Sequence, residues 1–135
     1  MPLVECRLAK IVRRESHDGQ VVVLEEVDGS RRFPIIIGIF EVFAIQRFVN
    51  DERPPRPFTH ELIGNICRAL NVSIEKIVIN ELRDRTFFAR LVLKQDGKLY
   101  DVDSRPSDAI ALAVMTGAPI FAEEEVIKTA SQDFG

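Results

Sequence analysis

Asp101 to Ile120 reads DVDSRPSDAIALAVMTGAPI, and the fold of the chain is decided in this stretch. Lys98 to Asp103 fits a strand, on which Asp101 and Asp103, two residues apart, share one face. Ser104-Arg105-Pro106-Ser107-Asp108 forms a polar corner. Seven consecutive apolar residues follow, Ala109 to Met115, and Gly117 closes them. A helix so apolar belongs in a core. Pro106 suits its first turn and Gly117 its stop. Ionisable groups beside a buried element need a partner, a ligand or a metal ion. A strand turning through such a corner into a buried helix implies helices packed on a sheet, an α+β architecture.

Outward from this unit the patterns are of two kinds. Leu3 to Arg13 alternates and reads as a strand, Ser16-His17-Asp18-Gly19 as a hairpin turn, and Gln20 to Val27 as the returning strand. Asp28-Gly29-Ser30 turns into a third strand, Arg31 to Ile37, which Gly38 ends. Ile39 to Val49 is apolar on most positions and reads as a buried helix. Three prolines keep Asn50 to Pro57 irregular. Thr59 is the expected N-cap of a helix running to Leu70, with Leu62, Ile63, Ile66, Cys67 and Leu70 at helical spacing. Ser73 to Leu82 and Thr86 to Gln95 read as strands joined by Arg83-Asp84-Arg85, and Asp96-Gly97 turns into Lys98 to Asp103. Pro119 to Ala122 is a short strand suited to enter parallel to a neighbour, and Glu123 to Ala130 a terminal helix. The expectation is a single domain over residues 1–130 with frayed residues 131–135: a mixed, mainly antiparallel sheet covered by three to four helices. Three strands lead into a helix in each half, first with Glu41 at the helix start and then with Asp108; duplication and coincidence explain this echo equally well.

With 135 residues the chain can bury about two-thirds of its unfolded surface. Hydrophobic residues make up 46% and charged residues 29%, the balance of an ordinary globular domain. No apolar run approaches the roughly 20 residues of a membrane span, and the alternating N-terminus does not read as a signal peptide. Cys6 and Cys67 have neither zinc-site nor disulfide-framework spacing, so two buried thiols in a cytoplasmic protein are expected. The net charge of −3 argues against unspecialised nucleic-acid binding, but not against a local basic site. Apolar residues in excess on short helices point to a homo-oligomer, first of all a homodimer.

Asp101 and Asp103 are the best metal-ligand candidates, because hard cations such as Mg²⁺ take carboxylate oxygens. The competing explanation is a solvent-facing strand that carries two charges. Asp108 falls at N3 if Arg105 is the N-cap, and there it either serves the helix dipole or belongs to a site. Arg105 suits pairing with Asp103 or Asp108. His60, beside Glu61 and after Arg56, is a candidate general acid or base or else a locally bonded turn residue. Arg53, Arg56 and Arg105 carry the guanidinium fork that suits a phosphate. His17 reads as solvated surface.

Three stretches together resemble one family. RPSDAIALA (105–113) with GAPIF (117–121), Phe33-Pro34-Ile35-Ile36-Ile37-Gly38 with Glu41 and Ala44-Ile45, and Arg56-Pro57-Phe58-Thr59-His60-Glu61-Leu62 occur in the order of the bifunctional nuclease family, a bacterial and plant domain credited with cutting DNA and RNA. The resemblance runs from Leu3 to Ile127. Phe40, Val42, Phe43 and Gln46 to Phe48 depart from it, at packing positions. It implies hydrolysis of phosphodiester bonds in DNA and RNA, with His60, Asp103, Asp108 and Glu41 as the catalytic set, Arg53, Arg56 and Arg105 on substrate phosphates, and a divalent cation on Asp101 and Asp103. The alternative is a non-catalytic oligomeric binding or assembly module whose polar corner is a structural ion network.

Overall fold

Period-two alternation gives way to helical spacing at the boundaries expected from the sequence to within a few residues. The computed structural model describes residues 2–14 and 19–134, with side chains through Gln132. The order is β1 (Leu3–Val12), β2 (Gln20–Glu26), β3 (Arg32–Ile37), α1 (Ile39–Val49), α2 (Thr59–Ala69), β4 (Ser73–Arg83), β5 (Thr86–Gln95), β6 (Lys98–Ser104), α3 (Pro106–Thr116), β7 (Ile120–Glu123) and α4 (Glu124–Phe134). The turn expected at Ser16-His17-Asp18 and the surface position expected for His17 lie outside the described residues. The terminal helix continues past Ala130 to Phe134.

The described strands form one seven-stranded sheet in the order β3-β2-β1-β7-β4-β5-β6. Every neighbouring pair is antiparallel except β4 and β7. The expected mixed, mainly antiparallel α+β fold is the observed one, including the parallel entry of the short strand. The echo between the halves has a spatial counterpart. β1-β2-β3 and β4-β5-β6 meander outward to opposite sides of β7, each leads into a helix, and α1 lies against α3.

Register settles which face is buried. Cys6, Leu24, Phe33, Ile35, Ile77, Ile79, Ala89, Leu91, Ile120 and Ala122 align on one face and join a core with Val42 and Ile45 of α1, Ala109 to Ala113 of α3 and Ile127 of α4. The opposite face has no place in this core. Val78 and Val92 are buried there outside it, Lys76 covers the Phe121 ring, and Glu25 ties Arg7 of β1 to Arg32 of β3. Both cysteines are free. Cys6 is buried as expected, its thiol pushed up to about 12 by burial and then by the Glu26 charge. Cys67 is only half-buried. No helix among the described residues is long and apolar enough to cross a membrane.

The helix ends follow local chemistry. Pro106 opens α3, and Gly117 closes it in the left-handed region at φ 80°. Gly117→Ala is expected to cost about 1 kcal/mol, although nothing stands within 4 Å of an added Cβ. An unchanged urea midpoint for this variant would contradict the strain. Thr59 was expected to cap α2 but is its first helical residue. The cap falls on Phe58, in extended backbone at φ −85° and ψ −177°. Its N–H donates to the Glu61 carboxylate at 3.1 Å, and phenylalanine has no acceptor with which to complete the reciprocal box.

Candidate active site

The starts of α1 and α3 open onto the same cleft. Gly38 caps α1 with extended backbone, and Arg105 caps α3 at φ −68° and ψ 146°; neither helix has a side-chain cap hydrogen bond. First-turn N–H groups left in this state attract negative charge. Glu41 and Asp108 hold the same position, N3, on their two helices. A Cβ added at Gly38 would meet the Glu41 carboxylate folded back over it, and the end of that side chain would have to shift.

One guanidinium spans both acids. Arg105 donates from Nε to Asp108 Oδ2 at 2.9 Å and from Nη2 to Oδ1 at 3.2 Å. Its Nη1 donates to Glu41 Oε1 at 3.3 Å. His60 Nε2 lies 2.9 Å from Asp108 Oδ1, and its ring meets Phe48 edge-on with centroids 6.1 Å apart. The sequence-predicted residues His60, Asp108, Arg105 and Glu41 thus form one continuous chain across three helices. Partial burial pushes the Asp108 carboxyl up, but hydrogen bonds from Arg105 and His60 outweigh it and hold the group below the usual carboxylate range. Asp108, and then Glu41, raise Arg105 in turn. Asp108 is therefore a fixed anion, and it makes Nε2 of His60 the donating nitrogen of that ring. The His60 side chain is 12% exposed.

The cleft itself measures about 420 Å³ and lies between both helix starts, Pro34 to Ile37 of β3, and the turn from β4 to β5. Glu41 and Arg105 reach it from one side. Arg85 reaches it from the turn, where Asp84 and Arg85 both adopt left-handed backbone, at φ 52° and 64°. Ser107 also lines it, and the residue is 6% exposed. Two uncapped helix starts and two guanidiniums suit a phosphate group. Gly38, Arg85 and Ser107 were not singled out from sequence. Only the spacing from Gly38 to Glu41 signals this in advance, as an N-cap followed at N3 by a carboxylate.

The other predicted residues lie elsewhere. Asp101 pairs with Val92 and Asp103 with Arg90 across the β5–β6 ladder. That register turns both carboxylates to the sheet face away from the helices, where Arg90 Nε is 3.9 Å from Asp101 Oδ1. Arg53 lines a second hollow, of about 560 Å³, with Phe48, Glu61 and Arg68. Arg56 lines a third, of about 540 Å³, with Phe58 and Leu62. The three candidate phosphate-binding arginines thus border three different hollows. Among the described residues no three His, Cys, Asp or Glu side chains stand together as a metal-holding set.

Comparison with known proteins bears on what such a cleft is for. A family model described as the bifunctional nuclease domain matches residues 22–135. The chain is also similar to two uncharacterized proteins of Mycobacterium tuberculosis, MT1877 of strain CDC 1551 and Rv1829 of strain H37Rv. Each is 37% identical over 126 residues, which cover 93% of this chain and 75% of the relative.

Proposed function

We propose, since this chain belongs to the bifunctional nuclease domain family, that it hydrolyses phosphodiester bonds of DNA and RNA in the cleft between the starts of α1 and α3. The carrying observation is the convergence of both uncapped helix ends on Arg105, Arg85 and Ser107, with the Glu41 carboxylate at the edge. Helix N–H groups and guanidiniums hold the phosphate and stabilise the charge that builds on its oxygens. Glu41 accepts a proton from the attacking water as the water oxygen bonds to phosphorus. The bond from phosphorus to the leaving sugar oxygen breaks, and solvent returns a proton to that oxygen. Asp108 and His60 act through Arg105 as positioning residues. A homodimer is the working unit.

The purified chain is expected to shorten single-stranded DNA and RNA. Arg105→Ala is expected to reduce cleavage by about 10²–10³-fold, the usual cost of removing one group that stabilises transition-state charge. Asp103→Asn, on the far face of the sheet, is expected to stay within about twofold of wild type, as substitutions away from a reacting group do. Loss of cleavage in the Asp103 variant would move the site to β6. Inactivity of wild-type protein freed of contaminating nuclease would reject the reaction. One observation favours a second reading, an anion-binding assembly module: Arg105 is already engaged by two carboxylates. Saturable binding of oligonucleotide without any cleavage would select it.

A further inference from the structure

Phe58, Leu62, Ile66 and Leu70 are each roughly half exposed and recur every four residues along α2 and its two caps. Side chains at that spacing form one stripe on a helix. The inward side of α2 is already used: Gly64 meets Met115, and Ile63 packs on the core. The stripe is therefore a second apolar face; among the described residues the Arg47 guanidinium lies over the Phe58 ring, 4.4 Å from its centroid, and Leu62, Ile66 and Leu70 stay exposed. Its C-terminal end abuts the β5–β6 hairpin, where the Gln95 amide donates to the Leu70 carbonyl at 2.7 Å. That hairpin adds Tyr100 and Val102, both exposed and on the sheet face that carries the helices.

We infer that α2 is the seam of a homodimer, in which two copies pack antiparallel through Phe58, Leu62, Ile66 and Leu70 about a two-fold axis at Gly64. The inference rests on the dimeric working unit proposed above and not on the cleavage chemistry. Three observations commit the stripe to a second copy. First, it reads alike from both ends: Phe58 and Leu70 are equidistant from Gly64, as are Leu62 and Ile66. A two-fold interface requires such a self-complementary patch. Second, one end is hollow and the other carries Leu70, 59% exposed. Phe58 and Leu62 line the hollow of about 540 Å³, and the axis at Gly64 brings Leu70 of the second copy over it. Third, the antiparallel arrangement sets Arg56, which has no ion pair among the described residues, beside the carbonyl end of the second helix. The stripe offers on the order of 400 Å² of apolar surface, and the hairpin residues bring the face toward the ~800 Å² per copy of a standard interface. His60 sits on this same helix, so the seam also braces the residue that holds Asp108.

Sedimentation equilibrium of the full chain at tens of micromolar is expected to show a dimer. Leu62→Lys and Ile66→Glu each place charge against an apolar side chain twice per dimer. Each is expected to raise the dissociation constant at least 100-fold while circular dichroism and Tm remain those of a folded chain. In the mixture, the L62K side chain of one copy faces the I66E side chain of the other and the second pair is native, so a heterodimer is expected to form. Leu70→Gln gives a milder disruption at an exposed end should either charged variant fail to fold. A monomeric wild type, a charged variant that stays dimeric, or a mixture that forms no heterodimer would each overturn the seam. Because mass is the readout, this outcome is separable from the presence or absence of nuclease activity.

Discussion

Glu41→Gln is expected to lower phosphodiester cleavage by about 10²–10⁴-fold, the range lost when a positioned general base is removed. The substitution preserves shape. A glutamine at N3 of α1 can still accept from Arg105 and still fits over Gly38, so no cavity opens and no packing is lost. Only the ability to take a proton from water disappears. The loss should therefore fall on kcat, with KM nearly unchanged, because Arg105, Arg85 and both helix starts still bind the phosphate. Gly38→Ala attacks the same carboxylate from the other side, since its new Cβ occupies the space where Glu41 lies. It should reproduce much of the kcat loss with Glu41 itself intact. Wild-type turnover in the Gln variant would remove Glu41 from the reaction.

Replacing Arg31 by methionine should destabilise the fold by about 2–3 kcal/mol at neutral pH. Arg31 donates to both oxygens of Glu124, at 2.7 and 2.8 Å, and to Glu26 Oε1 at 2.6 Å. The Glu26 side chain is 5% exposed, so methionine would leave a buried carboxylate without its cation. Breaking such a pair from one side costs about 3–5 kcal/mol in a dry interior. The lower figure here reflects the solvent that reaches Arg31, whose side chain is 34% exposed. Hydrogen bonds from Arg31 and then Ser30 hold the Glu26 carboxyl at about 2, against an ordinary 4.5. The folded value is the depressed one. Its stabilisation is thus complete above pH 4.5 and is lost as pH falls from there toward 2. Urea unfolding across that window should show wild type losing its advantage over the methionine variant as the acid limit is approached. A constant difference down to pH 2 would show that Glu26 does not carry the linkage.

Strands, helices and their order were legible because each is written locally, as a period of two or of 3.6 with turn residues between. Pro106 and Gly117 bound α3 where the chain itself punctuates it. Thr59 misled because threonine is the commoner cap, while the backbone becomes extended one residue earlier, at Phe58. His60, Asp108, Arg105 and Glu41 were recognisable one by one as residue types at helix starts. That they form a single chain was not, because Arg105 and Glu41 are 64 residues apart and meet only when α1 lies against α3.

Local pattern in this chain therefore determined the elements, the buried helix after Arg105, and the equal spacing of acids at two helix starts. Tertiary structure decided the rest. The pairing of β6 with β5 chose the sheet face for Asp101 and Asp103, and side chains change face with a shift of a single residue. Outward growth of both meanders from β7 brought two helix ends to one cleft and aimed Arg85 at it. Long-range pairings of this kind are selected by burial of the whole sheet, and no local repeat in the sequence encodes them.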